Sequence, residues 1–249
     1  MKAPLVAAAL QPSDPATATA PGGVRLQLLD TFELWCEGET VALRKSAQRL
    51  LAFVALKRHP VLRPYAAGSL WTLSNERHAC ASLRSALWRL RRCGESIVET
   101  AGQQLRLGSG VRVDYHEVEA TARRILEGRD GDALEFDSQV LRAELLPDWY
   151  EDWVLIEREC YRQLRLGALD VLTERLVNVG RLDEALTVGL SALECEPLRE
   201  SAHRTLVRIH LEQGNASEAI RQYRFCRRLL RSHLGVAPSE QMNELMRRL

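Results

Sequence analysis

The spacing of apolar residues changes along the first part of the chain, and each spacing predicts a different element. Alternation predicts short strands over Val24–Leu29, Phe32–Cys36 and Thr40–Leu43, with a turn at Glu37-Gly38-Glu39 before the last of them. From Lys45 onward the apolar residues recur every three to four positions, which is the pattern of an amphipathic helix. The pattern therefore predicts a small sheet followed by helices.

Proline, glycine and capping residues divide the next segment into further elements. Pro60 ends the first helix, Pro64 opens a short one, and Ser74 or Asn75 can cap a third, for which Gly94 is the stop. The predicted elements are helices over 45–58, 64 to 70 or 71, and 76–93, a hairpin of strands over 97–100 and 104–107, and an edge strand over 111–113. This is the order of a winged helix-turn-helix, in which the third helix enters the major groove and the hairpin is the wing.

The third predicted helix separates apolar from basic residues. At about 100° per residue, one face collects the residues expected in the core, which are Leu83, Ala86, Leu87 and Leu90. The opposite face presents Ala81, Ser82, Arg84, Ser85, Trp88, Arg89 and Arg92. Between Ala79 and Arg92 there are four Arg and no acidic residue. Such a face suits the major groove, because Arg can form two bonds to guanine and also meet phosphates; a solvated Arg-rich surface is the alternative.

Trp88 is the unusual member of this basic face, because exposing a large ring to water is costly. It can contact a thymine methyl group or a sugar of DNA, or it can pack under the hairpin that follows. For this reason we expect Trp88 to pack under the hairpin.

Charge is divided unevenly between the two halves. The chain carries a formal net charge of +1, from 34 Lys and Arg and 33 Asp and Glu. Residues 24–113 hold 14 basic and 7 acidic side chains, a net of +7, whereas residues 114–249 hold 19 and 25, a net of −6. Near-neutrality of the whole chain therefore does not exclude a nucleic-acid binder, because a basic half and an acidic half cancel.

The second half contains an internal repeat. Gly180 and Ala185 recur 34 positions later, as Gly214 and Ala219, within otherwise similar segments. This is the tetratricopeptide period, in which each repeat is a pair of helices. The glycine ends the first helix of a pair, and the alanine lets the second helix approach it closely. The residues expected in the cores of the two pairs are Leu172, Leu176, Ala185, Val188 and Leu193, and Leu206, Ile209, Ala219, Tyr223 and Cys226.

Other features of the second half carry alternatives. A helix over 114–127, a loop over 128–138 and a long helix over 153–178 precede the repeat. Trp149 and Trp153 are expected to anchor the core of the helical half rather than to form a ligand cage.

The last repeat is dense in arginine, at Arg221, Arg224, Arg227, Arg228 and Arg231. We expect a solvated helix paired with acidic neighbours there; contact with nucleic acid is the alternative.

Both halves resemble parts of one family of bacterial transcription activators. The segments LRKSAQRLLAFVAL, LRSALWRLRR, IVET and GQQLRL, within about Val24 to Asp114, resemble the DNA-binding domain of the antibiotic-regulatory-protein (SARP) family. The rest, with LLPDWYEDWV and ECEPLRESAHRTLVRIHLEQGNASEAIRQYRFCRRLLRSHLGVAPS, is similar to the bacterial transcriptional activator domain (BTAD) that follows it in the family. The resemblance implies an α+β winged helix-turn-helix domain of the response-regulator type over 24–113 and an all-α tetratricopeptide-like domain over 114–249.

The resemblance also implies a DNA-binding surface and partners. The residues expected at double-stranded DNA are Arg84, Ser85, Trp88, Arg89 and Arg92 in the recognition helix, Arg44, Lys45 and Gln48 at the start of the first helix, and Arg106 in the wing. A helix N-terminus suits a phosphate, although ordinary surface charge is the alternative for Arg44 and Lys45. The wing reads Gln104-Leu105-Arg106-Leu107 and lacks the aromatic residue common in the family. The family binds direct repeats near promoters as a dimer or pair and contacts RNA polymerase.

Other functional classes find less support in the sequence. No GxSxG, HExxH or P-loop motif is present, so we expect no enzyme. The six Cys form no CxxC pair and the six His are scattered, so we expect no metal. Larger family members carry a nucleotide-binding module that these 249 residues lack, so we expect no cofactor. We expect a disordered tail over 1–23 and a cytoplasmic protein without a membrane span. The alternative function is a tetratricopeptide scaffold or sensor that binds a protein or peptide.

Overall fold

The computed structural model describes residues 23–92, 97–128 and 137–247. The first half contains a four-stranded sheet of β1 (Val24–Gln27), β2 (Glu33–Cys36), β3 (Glu39–Thr40) and β7 (Val111–Val113), in the order β3-β2-β1-β7. β1 pairs antiparallel with β2 and parallel with β7, so the edge strand predicted over 111–113 is confirmed. The third strand is shorter than the predicted Thr40–Leu43 and starts one residue earlier.

Three helices follow in the predicted order: α1 (Lys45–Leu56), α2 (Arg63–Leu70) and α3 (Glu76–Arg91). α1 ends at Leu56 rather than at the predicted Arg58. Asn75 caps α3, since its Oδ1 accepts a hydrogen bond from the backbone N–H of His78 at 2.9 Å. The predicted stop at Gly94 lies outside the described residues. All four residues predicted on the apolar face of α3 are buried, which confirms the orientation of this helix.

The predicted hairpin forms the wing, and a third strand joins it. β5 (Val98–Ala101) and β6 (Gln104–Leu107) pair antiparallel. β4 (Val61–Leu62), which the sequence pattern did not predict, pairs antiparallel with β6. Two residues are too few for an alternating pattern to be visible in a sequence. The backbone N–H of Arg63 also donates to the carbonyl of Gln103 at 2.8 Å, so the wing is tied to the connection between α1 and α2.

The second half is helical. After α4 (Asp114–Glu127) come a short 3₁₀ helix (Ser138–Arg142), α5 (Asp152–Asn178), α6 (Leu182–Cys195), α7 (Glu200–Glu212), α8 (Ala216–Leu234) and α9 (Glu240–Met246). Residues 129–136 of the predicted loop lie outside the described residues. Gly180 and Gly214 follow α5 and α7 with φ of 78° and 74°, a left-handed conformation that glycine adopts at little cost. Both glycines therefore end the first helix of a pair, as the repeat predicts.

One buried core crosses the junction of the two halves. Trp149, Val154 and Tyr161 of the second half pack in the same cluster as the sheet and α1. Trp153 meets the ring of Phe53 edge-on, with 5.2 Å between the ring centres. The anchoring role predicted for Trp149 and Trp153 is confirmed, but the core that they join is the one shared with the winged helix.

Some of the remaining sequence expectations fall beyond the described residues. Residues 1–22 of the predicted tail are among these, as is Cys93. No disulfide joins the five described cysteines, and only Cys226 among them is buried. In the described ranges no group of three His, Cys, Asp or Glu could hold a metal ion. None of the described helices combines the length and apolar character that crossing a bilayer requires.

Candidate nucleic-acid interface

The outer face of α3 carries exposed basic residues from its first turn to its end. Arg84, Ser85, Trp88 and Arg92 are exposed, and Arg89 is half-buried. From residue 77 to residue 92 this helix contains no acidic side chain. The sequence-predicted residues of the recognition helix therefore lie together on one surface, apart from Arg89 at its margin.

Arg77 belongs to this surface and was not among the predicted residues. It is exposed and lies seven positions before Arg84, and residues seven apart nearly align on a helix. The acid-free stretch from Ala79 to Arg92 does not include Arg77. The seven-residue spacing between Arg77 and Arg84 is the sequence signal that places both on the same face. Arg91, a further seven positions along, donates to the hydroxyl of Thr100 in β5 at 3.0 Å. The same line of arginines thus runs from the first turn of α3 to the wing.

A groove of about 380 Å³ joins α3 to the start of α1, and it is lined by Ala42, Leu43, Arg44, Trp88, Arg89 and Arg92. Four of the predicted DNA-binding residues meet in it. The guanidinium carbon of Arg92 lies 5.0 Å from the centre of the Trp88 ring, and Arg89 Nη1 lies 3.4 Å from Ser46 Oγ. None of the described residues that line this groove is acidic, so it concentrates positive charge beside an aromatic surface.

The start of α1 offers further positive potential beside this groove. Arg44 occupies the N-cap position without a side-chain capping bond, and the first turn contains no acidic residue. An uncapped helix N-terminus presents backbone N–H groups and a partial positive charge, which favour a bound anion. The exposed side chain of Arg44 lies beside this end. This geometry suits the phosphate position predicted from the sequence.

Trp88 does not pack under the wing, so that expectation was wrong. Its side chain is 58% exposed, and it lines the groove beside Arg44 at the start of α1. The reason is helical geometry: Leu87 and Leu90 take the core positions, whereas Trp88 is only about 40° from Arg84 around the helix axis. The aromatic ring therefore belongs to the exposed basic face.

Two predicted residues of α1 have partners within the protein. The Nζ atom of Lys45 lies 3.7 Å from the centre of the Trp149 ring, which is a cation–π contact. The Nε2 group of Gln48 donates to the carbonyl of Leu43 at 3.0 Å. Lys45 therefore connects the candidate interface to the helical half, and Gln48 holds the chain that leads into α1.

Arg106 of the wing also has a partner. Its Nε lies 2.6 Å from Glu99 Oε2, and the two residues are directly opposite each other in the β5–β6 register. Arg106 is 62% exposed and Glu99 26% exposed. The carboxylate reduces the positive potential at this position, since an opposite charge lies directly across the hairpin.

Ion pairs hold α1 against the second half. Those at α1 and its end are Arg49–Glu151, Lys57–Glu157 and Arg58–Glu119. The Glu119 carboxylate is 4% exposed and also accepts a hydrogen bond from Arg123 at 2.8 Å. Burial, with the negative charge of Glu119 beside it, raises the pKa of Tyr115 well above its ordinary value. These ion pairs fix α1, whose start borders the groove at Trp88, against the helical half.

The family model of the bacterial transcriptional activator domain matches residues 113–249. The regulatory protein AfsR of Streptomyces coelicolor is 27% identical over 255 residues, which is 96% of this chain and 25% of that protein. AfsR of Streptomyces griseus is 26% identical over 261 residues, which is again 96% of this chain and 25% of that protein. The chain thus spans about a quarter of the length of the curated relatives it matches.

A solved structure shares the fold. Mycobacterium tuberculosis EmbR, in complex with a low-affinity phosphopeptide, superposes with a TM-score of 0.68 at 20% sequence identity. The match covers 91% of this chain and 65% of that one, so it includes both the winged helix-turn-helix and the helical half. Because the family model covers more than half of the chain, the protein belongs to the bacterial transcriptional activator domain family, and the winged helix before this domain gives it the domain order of SARP-type regulators.

Proposed function

We propose that the protein is a sequence-specific DNA-binding transcription activator that reads the major groove with α3. The observation that carries the proposal is the basic face of α3, on which Arg77, Arg84 and Arg92 are exposed and no acidic residue interrupts residues 77–92. The groove at Trp88 adds Arg44 to this surface. An α-helix fits the major groove, where arginine distinguishes guanine by two hydrogen bonds.

The residues divide into those that read bases and those that meet the backbone. Arg84 and Ser85 lie in the middle of the exposed face, and we assign them to base edges. Arg44, beside the uncapped start of α1, is assigned to a phosphate. Each good Arg–guanine pair would contribute about 1–3 kcal/mol of discrimination. Phosphate contacts would supply most of the affinity and make it strongly dependent on salt.

The helical half is assigned to protein contacts. We infer that it provides the surface for a second copy of the chain or for RNA polymerase, and that the protein works in the bacterial cytoplasm. The match of the family model to residues 113–249 supports this division of roles, as does the similarity to two regulatory proteins along 96% of the chain. Run-off transcription from a bound promoter, with and without the protein, measures whether it activates.

Selection of bound duplexes from a random pool, followed by fluorescence anisotropy on the selected and a shuffled duplex, tests DNA recognition. Arg84→Ala should reduce the preference for the selected duplex by about 1–3 kcal/mol. Arg44→Ala should weaken both duplexes equally and reduce the slope of log K against log salt by about 1. Arg247→Ala is the matched control, because Arg247 is 65% exposed and pairs with Glu240 in α9.

Two results would contradict the proposal. If no duplex is enriched over the random pool, the protein does not read DNA sequence. If Arg84→Ala leaves the preference unchanged while Arg247→Ala alters it, α3 is not the reading element.

A further inference from the structure

Most of the arginines on α8 have no acidic partner among the described residues. Arg221 lies 3.6 Å from Glu218, with side chains that are 80% and 46% exposed, so this pair is weak. Arg224, Arg228 and Arg231 form no ion pair with any described carboxylate. The sequence-based expectation of a helix paired with acidic neighbours is therefore wrong for these three. Around the helix axis, Arg221, Arg224, Arg228 and Arg231 fall within about 80° of one another, and we call them the α8 arginine ridge.

A groove with an apolar floor runs beside this ridge, between α6 and α8 and over α7. Its volume is about 590 Å³. Leu190 of α6 and Phe225 of α8 line it and are 46% and 43% exposed. Leu206 of α7 lies at its base. Arg221 and Arg228 of the ridge stand along its edge together with Glu218, the weak partner of Arg221. Large apolar side chains exposed in a groove beside arginines with weak ion pairs or none are a typical sign of an interaction surface.

The α8 side of the groove, which we call its wall, is held in position by His203 of α7. The ring of Phe225 meets the buried His203 ring edge-on, with 5.9 Å between centres. Gln222 Nε2 lies 2.7 Å from Nδ1 of His203, whose Nε2 lies 2.9 Å from the carbonyl of Pro197. This wall is preformed, so a partner that binds here does not have to order it.

His210, which lines the groove, has a buried ring nitrogen, Nδ1, without a hydrogen-bond partner among the described residues. Buried polar atoms in folded proteins are nearly always hydrogen-bonded, and a missing bond costs free energy.

We propose that this groove binds a short amphipathic helix of another protein, with acidic residues along one side. Apolar side chains spaced three or four apart would contact Leu190 and Phe225, and carboxylates beside them would meet Arg221 and Arg228. Charge complementarity selects an acidic partner, because Arg224, Arg228 and Arg231 form no ion pair with a described carboxylate and Arg221 is only weakly paired. The apolar floor argues against duplex DNA, whose phosphate backbone gains nothing from leucine and phenylalanine. The proposal does not depend on DNA binding by α3.

The test is fluorescence anisotropy of the whole chain with a labelled Leu/Glu/Ala peptide of about four helical turns, in which the leucines share one face. A peptide of the same composition in shuffled order is the control for amphipathicity. We expect saturable binding of the amphipathic peptide and weaker binding of the shuffled one. The double variant Arg221→Glu/Arg228→Glu should weaken binding about tenfold or more.

Matched variants separate the groove from general charge and from folding. Arg227→Glu makes the same charge change per residue about 100° to 120° around the helix axis from Arg228 and Arg221. Arg227 stacks there on Tyr223, away from the lining of the groove, and its replacement should change affinity about twofold at most. Phe225→Ala and Leu190→Glu should each weaken binding about tenfold, and two positions keep the test decisive if one variant unfolds. Circular dichroism and thermal unfolding check that each variant is folded.

Three results would overturn the proposal. One is absence of binding up to the solubility limit of the amphipathic peptide. Another is equal affinity for the shuffled peptide, or equal loss with Arg227→Glu, which would reduce the effect to net charge. The third is displacement of the peptide by duplex DNA from a chain carrying Arg84→Ala, which would make the ridge a nucleic-acid surface.

Discussion

The ammonium group of Lys45 lies 3.7 Å above the ring of Trp149, so the first residue of α1 rests on an aromatic side chain of the second half. Trp149 is in turn stacked on Phe32, with 5.6 Å between ring centres. Close by, Arg49 bridges to Glu151 at 2.9 Å. The helix whose start faces the proposed phosphate is thus positioned by the helical half as well as by its own domain. Movement of one half should therefore disturb the other.

Trp149→Ala tests how strongly this junction supports the fold. Trp149 is 5% exposed and lies in the core shared by the two halves, so its loss leaves a cavity there. We expect the free energy of unfolding to fall by about 3–5 kcal/mol in urea titrations followed by circular dichroism. Tyr150→Ala is the control: this neighbouring side chain is 78% exposed, and its removal should change stability by less than about 0.5 kcal/mol. Equal effects of the two variants would contradict the role of Trp149.

Trp88→Ala should separate binding from folding. Because the ring is 58% exposed and stacks on Arg92, its removal should change the free energy of unfolding by no more than about 0.5 kcal/mol. We expect it to weaken binding to the selected duplex, since Arg92 loses its support in the groove. Urea titration and anisotropy on the same preparation measure both. A loss of several kcal/mol in stability would show instead that the ring packs against the wing.

The sequence pattern predicted the elements better than it predicted their contacts. The spacing of Leu83, Leu87 and Leu90 fixes one buried face of α3, because helical geometry relates these positions directly. The contact of Lys45 with Trp149 depends on how two distant segments pack, and no local pattern reports it. The unpredicted strand β4 is likewise a property of the assembled domain, because it forms by pairing with the distant β6. The exposure of Trp88, by contrast, follows from its position on the helix, and the cost of exposing a large ring outweighed that geometry in the prediction.

Glu99→Gln should strengthen DNA binding by the wing. The carboxylate of Glu99 lies 2.6 Å from Arg106 and cancels its charge, so the neutral amide leaves Arg106 available for a phosphate. We expect binding to duplexes of any sequence to tighten about threefold, with the salt slope larger by about 1. Anisotropy at several salt concentrations measures both quantities. Glu244→Gln, an exposed change of the same charge in α9, is the control, and an equal gain there would point to net charge alone.

The buried histidine of the second repeat predicts a loss of stability in mild acid. Burial lowers the pKa of His203, which is 1% exposed. The unfolded chain, with an ordinary imidazole, accepts a proton below about pH 6.5, whereas the folded protein resists it. The unfolded state therefore binds more protons there, and the free energy of unfolding falls as pH drops through this range, by up to about 1.4 kcal/mol per pH unit for one histidine.

His203→Leu isolates this effect. The variant changes absolute stability as well, because it removes the bonds to Pro197 and Gln222. The informative quantity is accordingly the slope of the free energy of unfolding between pH 6.5 and pH 5, which should become shallower. His116, whose pKa burial also lowers, would retain part of the slope. His233→Leu removes an exposed histidine of α8 as control. An unchanged slope with His203→Leu, or a larger change with His233→Leu, would show that burial of His203 does not set the acid sensitivity.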